Sequence, residues 1–431
     1  MFLEISSFLT TWRTRERGGW LQLRNAILSF SVKFAASDPR RLFERISCEP
    51  PTNKVVDAPY SVKIHESIME IDPSIWDSII GTNSLVRSHA YLAAIESSAI
   101  NDCKHFYPVI SNASGIVVAH ASVYTITTDF AQLLPSSLRS VCRIVRRRWT
   151  RFLQIKITEC ASPLSASHGI SFSADEAQIM LIGEISSAIE AVARSENSPL
   201  IVIRDFLTSE RERFDGLLAT GYNLVSNMPL ARIRIRWRSY DEYLASMRAR
   251  YRKDVKRRLI SADRRGQKVT TIASFGCDAA LWVRQVRTVF EQTKGFKREV
   301  ISSDYYEHMD RKLGDKSVLV AAERDGRFVA HGMVLHDDTS TIATYFGRDP
   351  GAASQEWFQL VNEVIRIGID KESEFINLGL GSYDAKTNVG ADIEPLYVYS
   401  KSTFVVVNWL MRIFRGTMEY PINDKKRVFH D

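Results

Sequence analysis

The order of elements, more than any single motif, restricts what this chain can fold into. Twice along its length a hairpin gives way to an amphipathic helix and then to a short buried strand. In the first run HFYPVIS and GIVVAHASVYTI flank a turn around Asn112–Gly115, and LQIKITE returns as a strand. A long helix follows from a capping box at Ser173 and Glu176, and PLIVIRDF is the buried strand. In the second run SVLVAAERDG and RFVAHGMVLHDD meet at Asp325–Gly326, and TSTIATYFGRD precedes the helix SQEWFQLVNEVIRIGIDK and the strand FINLGLGS. A hairpin joined to a further strand through a crossover helix is a mixed α/β module. The expected fold class is therefore α/β with mixed sheets, built from two tandem modules. At 431 residues the chain is too long for one core and has room for both modules and an appendage.

The expected boundaries follow from composition. Residues 1–57 read as a helical appendage whose apolar positions, Trp20 to Phe30, dock on the body, and CEPPTNKVVDAPY reads as its linker. The modules are expected at 58–236 and 237–420, with a tail at 421–431. The start lacks a basic region ahead of an apolar run, and the late run TFVVVNWLMRIF is too short to span a bilayer, so no transmembrane segment is expected and the location is expected to be cytoplasmic. The 5 cysteines are scattered, without a CxxC, which fits reduced thiols and offers no zinc site. His331 and His336 stand at odd spacing on one strand and cannot share a metal. No Ser/His/Asp or Cys/His arrangement supports a covalent enzyme intermediate.

Charge is unevenly distributed. The net charge is +7, yet Arg248 to Lys268 alone carries ten basic residues against Asp254 and Asp263, and Arg139 to Lys156 carries seven with no acid. Removing both leaves 40 basic and 48 acidic residues, so an acidic scaffold bears two basic patches. That polarity suits a polyanion: RNA, a phosphate-rich cofactor or anionic lipid. In the first patch Leu244, Met247, Tyr251, Val255, Leu259 and Ala262 recur at three- and four-residue steps, predicting one helix with Arg248, Arg252, Lys253, Lys256, Arg257 and Arg258 turned to solvent. A second helix is expected to carry Arg146, Arg147 and Arg148.

Two segments promise chemistry. YFGRDPGAASQEW joins a strand to a helix, and Arg348, Gly351 and Ala353 fit the spacing R-x-x-G-x-A; backbone N–H groups at such a helix start bind phosphate. LGLGSYDAKTNVG is polar and glycine-rich directly after a buried strand. Lys386 there suits a developing oxyanion or a phosphate, and Asp384 or Tyr383 suits proton relay from an attacking amine.

The Arg348–Gly351–Ala353 loop between strand and helix resembles the pyrophosphate loop of the GNAT acyltransferase superfamily. The tandem modules, the YRKDVKRRLISADRRGQKV helix, the late GSYDAK and the opening helices at 74–98 resemble Fem-type peptidyltransferases and relatives named for peptidoglycan biosynthesis or recognition. The resemblance implies two GNAT-like domains and transfer of an aminoacyl group from aminoacyl-tRNA to an amine. It further implies Lys386 beside the donor's reactive end, with tRNA on the basic surface and no tightly bound cofactor. A passable R-x-x-G-x-A keeps acyl-CoA as the alternative donor, with a small amine or peptide-like metabolite as acceptor. A non-catalytic module for RNA or a cell-envelope polymer is the third reading.

Overall fold

The computed structural model describes residues 60–80, 84–134, 136–173, 178–293, 297–351, 355–414 and 427–430; the expected appendage, Glu176 of the capping box and Ala353 lie outside the described residues. The first half gives β1 (Tyr60–His65), α1 (Pro73–Ile80), α2 (His89–Ser97), β2 (Lys104–Asn112), β3 (Val117–Ala121), β4 (Val123–Asp129) and α3 (Ser136–Val145). It continues with β5 (Gln154–Cys160), β6 (Ile170–Phe172), α4 (Gln178–Ser195), β7 (Leu200–Leu207) and β8 (Asn223–Arg234). The second half gives α5 (Tyr240–Ser246), α6 (Ala249–Asp263), β9 (Lys268–Ile272), α7 (Ala279–Gln292), α8 (Ser303–Leu313), β10 (Ser317–Arg324) and β11 (Arg327–His336). It ends with β12 (Ser340–Arg348), α9 (Gln355–Asp370), β13 (Phe375–Asn377), α10 (Tyr383–Asn388), β14 (Asp392–Ser402) and α11 (Val405–Phe414).

The strands join in one mixed sheet ordered β6-β3-β2-β4-β5-β7-β14-β8-β13-β12-β11-β10-β9, with β1 on β2. Only β5/β7 and β12/β13 pair in parallel, each across a crossover helix, α4 and α9, as the repeated pattern requires. The hairpin turn Asp325–Gly326 has both φ angles positive, 53° and 73°, which is why a two-residue connection with glycine serves there. β14, last of the strands in the chain, lies between β7 and β8 and pairs antiparallel with both.

Three large apolar cores and one small one flank the sheet among the described residues. Leu181, Ile185 and Ile189 of α4 meet Ile110, Ile201 and Phe206; Val361, Ile365 and Ile369 of α9 meet Ile233, Val334 and Ile376. The third core joins the halves: Trp76, Tyr91 and Leu92 pack with Trp282, Tyr305 and Met309. Burial of such aromatic rings, with Trp76 Nε1 satisfied by Arg87 O at 3.0 Å, makes this a joint of interior quality.

The single helix expected from Leu244 to Ala262 is broken. Met247 is extended and pairs with Phe429, ending α5 before α6 begins. Its apolar stripe survives the break, since Tyr251, Val255 and Leu259 still face the α9 core. The helix expected over the 139–151 arginines also stops early, at Val145. Phe429 closes over Gly390, whose φ is +91° and where an added Cβ would come within 2.2 Å of the ring. Gly390→Ala is expected to cost at least about 2 kcal/mol through backbone strain and overpacking. A urea midpoint unchanged from wild type would show that the Phe429 clamp is dispensable.

Candidate active site

Two strand pairs in the sheet part from one another, and the space they open is the site. The β12/β13 ladder lasts only from Ser340–Ile342 against Phe375–Asn377. Beyond it β12 runs on to Arg348, while the Leu378 N–H donates to Ala231 O at 2.8 Å and the Ala231 N–H to Gly379 O at 3.2 Å, so the other chain stays with β8. Gly379, Gly381 and Ser382 then take φ of 75°, 72° and 51° and swing the backbone into α10. Glycine meets that left-handed geometry without a Cβ penalty. In the first half β5 and β7 are parallel over Ile157–Cys160 and Leu200–Ile203, and a bulge at Asp205, φ 72°, bends β7 away. Both openings give onto one cleft of about 1050 Å³ lined from the two halves.

Lys386 of α10 lines the second opening. It is 5% exposed, and its Nζ donates to Leu380 O at 3.0 Å. Burial brings its ammonium down to about 7 from 10.5, and no charged neighbour offsets it. Asn377 Oδ1, buried on the same wall, has no hydrogen-bond partner among the described residues. The first opening is charged instead. Glu159 of β5 accepts from Arg204 Nε at 2.9 Å and Tyr124 OH at 2.5 Å, and Arg298, from the far half, donates to both its oxygens, Nη2 at 3.2 Å from Oε2. Arg204 also pairs with Asp205, whose other oxygen accepts from Asn227 Nδ2 at 2.7 Å. Burial alone pushes the Glu159 carboxyl upward, but the Arg298 and Arg204 guanidiniums outweigh it and hold it well below the usual range.

The comparisons with known proteins bear on this architecture. The FemAB_like family, described as peptidoglycan biosynthesis/recognition, matches residues 159–362. The crystal structure of FemX is similar with a TM-score of 0.52 at 10% identity, over 79% of this chain and 98% of that one. The C-terminal domain of a lysylphosphatidylglycerol synthetase from Agrobacterium fabrum is similar with a TM-score of 0.51 at 10% identity, over 81% and 97%. The fold is similar to that of FemX, with mixed α/β architecture. A relative in Mycobacterium tuberculosis, carrying the name 8-amino-7-oxononanoate synthase 2, is 23% identical over 322 residues, 73% of this chain; the chain spans 42% of that relative's length.

Within this fold the residues expected from sequence separate. Lys386 and Arg348 both line the cleft, Arg348 donating to Gln292 Oε1 at 2.7 Å. Gly351 is exposed just short of α9. Tyr383 and Asp384 do not line the cleft: the Tyr383 hydroxyl donates to Pro229 O at 2.8 Å, and Asp384 is exposed, about 200° round the helix from Lys386. The basic helix is partly occupied by its own surroundings. Arg257 and Arg258 pair with Asp254, Arg258 Nε at 2.8 Å; Arg252 caps Ala245 O and Met247 O, each at 2.9 Å; Arg248 donates to Phe429 O at 3.2 Å. Lys253 and Lys256 stay exposed, as does Arg250. Arg146 is held by Asp129 through two bonds of 2.9 and 2.6 Å, leaving Arg147 and Arg148 as the exposed pair.

Sequence reasoning did not find Glu159, Arg204 or Arg298. A Glu and an Arg in otherwise apolar strands were the available signal, since such positions are buried and must be paired. Glu159→Gln removes the carboxylate that two buried guanidiniums share, leaving Arg204 with Asp205 and Arg298 with Glu299, and is expected to cost roughly 2 kcal/mol in urea unfolding. An unaltered midpoint would mean the cluster contributes nothing to joining the halves.

Proposed function

We propose that the chain is an acyltransferase that moves an aminoacyl group from aminoacyl-tRNA to an amine acceptor, a small metabolite or a peptide-like compound, by direct attack. The Lys386 amine carries this reading: it sits in the β12/β13 opening and is brought near neutrality by burial. An ammonium acceptor must lose a proton before its nitrogen can attack an ester, and an amine with a pKa near 7 takes that proton readily. The acceptor nitrogen then bonds the carbonyl carbon and sheds its second proton to solvent, the carbonyl–ribose C–O bond breaks, and Lys386 returns the first proton to the leaving ribose oxygen. No covalent enzyme intermediate and no tightly bound cofactor is needed. Lys386 replaces Asp384 and Tyr383 in the proton-handling role, because those two do not line the cleft.

A tRNA donor is favoured by the position of the basic helix. A groove of about 480 Å³ beside α6 is lined by Arg250, Lys253 and Arg257 and by Asn388, the last residue of the helix that carries Lys386. Cations grouped beside the helix that carries Lys386 suit a phosphate backbone. Acyl-CoA remains the second reading, supported by Arg348 at the cleft end of β12 ahead of Gly351.

Lys386→Met is expected to abolish turnover, and Lys386→Arg, which keeps a cation but not a base near pH 7, to lose at least about a hundredfold in kcat. Wild-type kcat is expected to rise with pH through a limb near 7. Near-wild-type turnover in Lys386→Arg, or a flat profile, would rule out the base role. Stability supplies an independent check. The folded amine titrates near 7 and the unfolded one near 10.5, so between these values the unfolded chain holds the extra proton and stability rises with pH. Lys386→Met is therefore expected to be more stable than wild type at pH 7, with the gap closing by up to about 1.4 kcal/mol per unit toward pH 9.

Replacing Arg250, Lys253 and Lys256 together by Gln should lower the slope of log affinity for charged tRNA against log salt by roughly 2 to 3. Acyl-CoA binding should be unaffected. Unchanged tRNA affinity in that variant, with acyl-CoA turned over, would transfer the case to the second reading.

A further inference from the structure

One edge of the sheet carries two helices with apolar faces turned outward. Asp129 at the end of β4 lies opposite Gln154 of β5, Ile157 of β5 beside Leu200 of β7, and Leu200 opposite Ser402 of β14. Helix α3, which follows β4, and helix α11, which follows β14, therefore leave the same edge. The strands they follow end three strand spacings apart across the sheet, about 14 Å, and three residues apart along it, about 10 Å.

On α3, Leu138, Val141 and Ile144 are 44%, 52% and 65% exposed. On α11, Val405, Val406, Trp409 and Ile413 are 82%, 64%, 58% and 53% exposed, and their spacing lays them in one stripe along the helix. Hydrogen bonds fix which side faces out. Asn408 Oδ1 accepts from the Ser402 N–H at 3.1 Å and from Asn223 Nδ2 at 2.9 Å, and its Nδ2 donates to Gly221 O at 3.0 Å, so α11 turns Asn408 inward. On α3 the buried side is Cys142, and Arg139 donates to Leu134 O and Gln132 O, both at 2.7 Å.

The charge beside these faces is predominantly positive. Residues 136–156 contain no acid. Of the carboxylates close by, Asp129 is paired with Arg146 and Glu196 with both Lys104 and Lys156, while Asp102 accepts from the Thr127 N–H at 3.1 Å. Arg143, Arg147, Arg148, Arg151 and Arg412 are exposed, and Trp149 is 45% exposed among them.

We infer that this edge docks on an anionic membrane surface, α3 and α11 lying flat with Leu138, Ile144, Val405 and Trp409 in the headgroup–acyl boundary and the arginines on lipid phosphates. Aliphatic side chains, tryptophans and guanidiniums interleaved without acids match an interfacial helix pair. The centre of a protein–protein interface is depleted of charge, and a single-stranded nucleic acid is held by stacked aromatic rings, not by an aliphatic stripe. The docking is independent of the transfer reaction and of the cations on α6. It borders one end of the cleft, since Arg139 holds the carbonyls of the turn that contains the cleft residue Phe130.

The test is co-sedimentation of the full chain with vesicles of phosphatidylcholine containing phosphatidylglycerol, against phosphatidylcholine alone. Wild type is expected to pellet with the anionic vesicles and to have its tryptophan fluorescence quenched by brominated acyl chains. Ile144→Glu with Trp409→Glu should weaken the partition about tenfold or more at an unchanged melting temperature, as both positions are exposed. Neutralising Arg147, Arg148 and Arg151 should remove the preference for anionic lipid. No pelleting at low salt overturns the inference, and so does pelleting that survives the double substitution or that is lost instead in the α6 triple variant. It falls equally if the double substitution leaves vesicle binding intact while dissociating a dimer or releasing tRNA, which would name a second copy or RNA as the occupant.

Discussion

Glu159 is the carboxylate on which the cleft depends. It stands on β5 in the first half, shares Arg204 of β7, and is met by Arg298 across 139 residues of chain. Buried alone it would be prohibitively costly, and so would either guanidinium; together, with Tyr124 and Asp205, they satisfy one another. Charge that must be compensated fixes relative position in a way that apolar contact does not. The apolar joint of Trp76, Tyr91, Trp282 and Tyr305 holds the halves together, while the ionic cluster sets the register in which they meet.

That register brings two openings of the same kind onto one volume with opposite electrostatic character. The first opening is lined by fully compensated charge and is polar and stiff. The second is lined by Lys386, whose Nζ donates to the Leu380 carbonyl and whose burial drives it toward neutrality. In the proposed reaction, an ionic wall facing this amine separates the holding of a substrate from the handling of a proton. Such a pair of environments is how one cleft can both bind a charged acceptor and discharge it.

The strand and helix order was legible because alternation and turn chemistry are local: Asp325–Gly326, the β12 strand and the α9 helix follow from neighbouring residues. The site was half legible. Lys386 announced itself through the glycines before it, whose positive φ turns the chain out of the sheet. Tyr383 and Asp384 misled because a loop reading gives every side chain equal access, whereas a helix sends Asp384 to the opposite side and lets Tyr383 reach Pro229. The break at Met247 was hidden because its pairing partner, Phe429, is remote in sequence. The insertion of β14 between β7 and β8 leaves no local trace for the same reason, and neither does the Glu159 cluster.

The two arginine-rich stretches look alike as strings and differ as surfaces. In α6 the apolar stripe is buried against α9, so the cylinder shows solvent mostly cations, with Arg250, Lys253 and Lys256 exposed beside Ile260 and Asp263. On α3 Leu138, Val141 and Ile144 stay exposed, and the arginines surround a greasy face instead of covering it. Charge counting alone assigns both stretches to one polyanion. Where the apolar side of each helix goes decides between them: a helix whose stripe is buried offers only electrostatics, and one whose stripe is exposed asks for a partner that is anionic at its surface and apolar beneath.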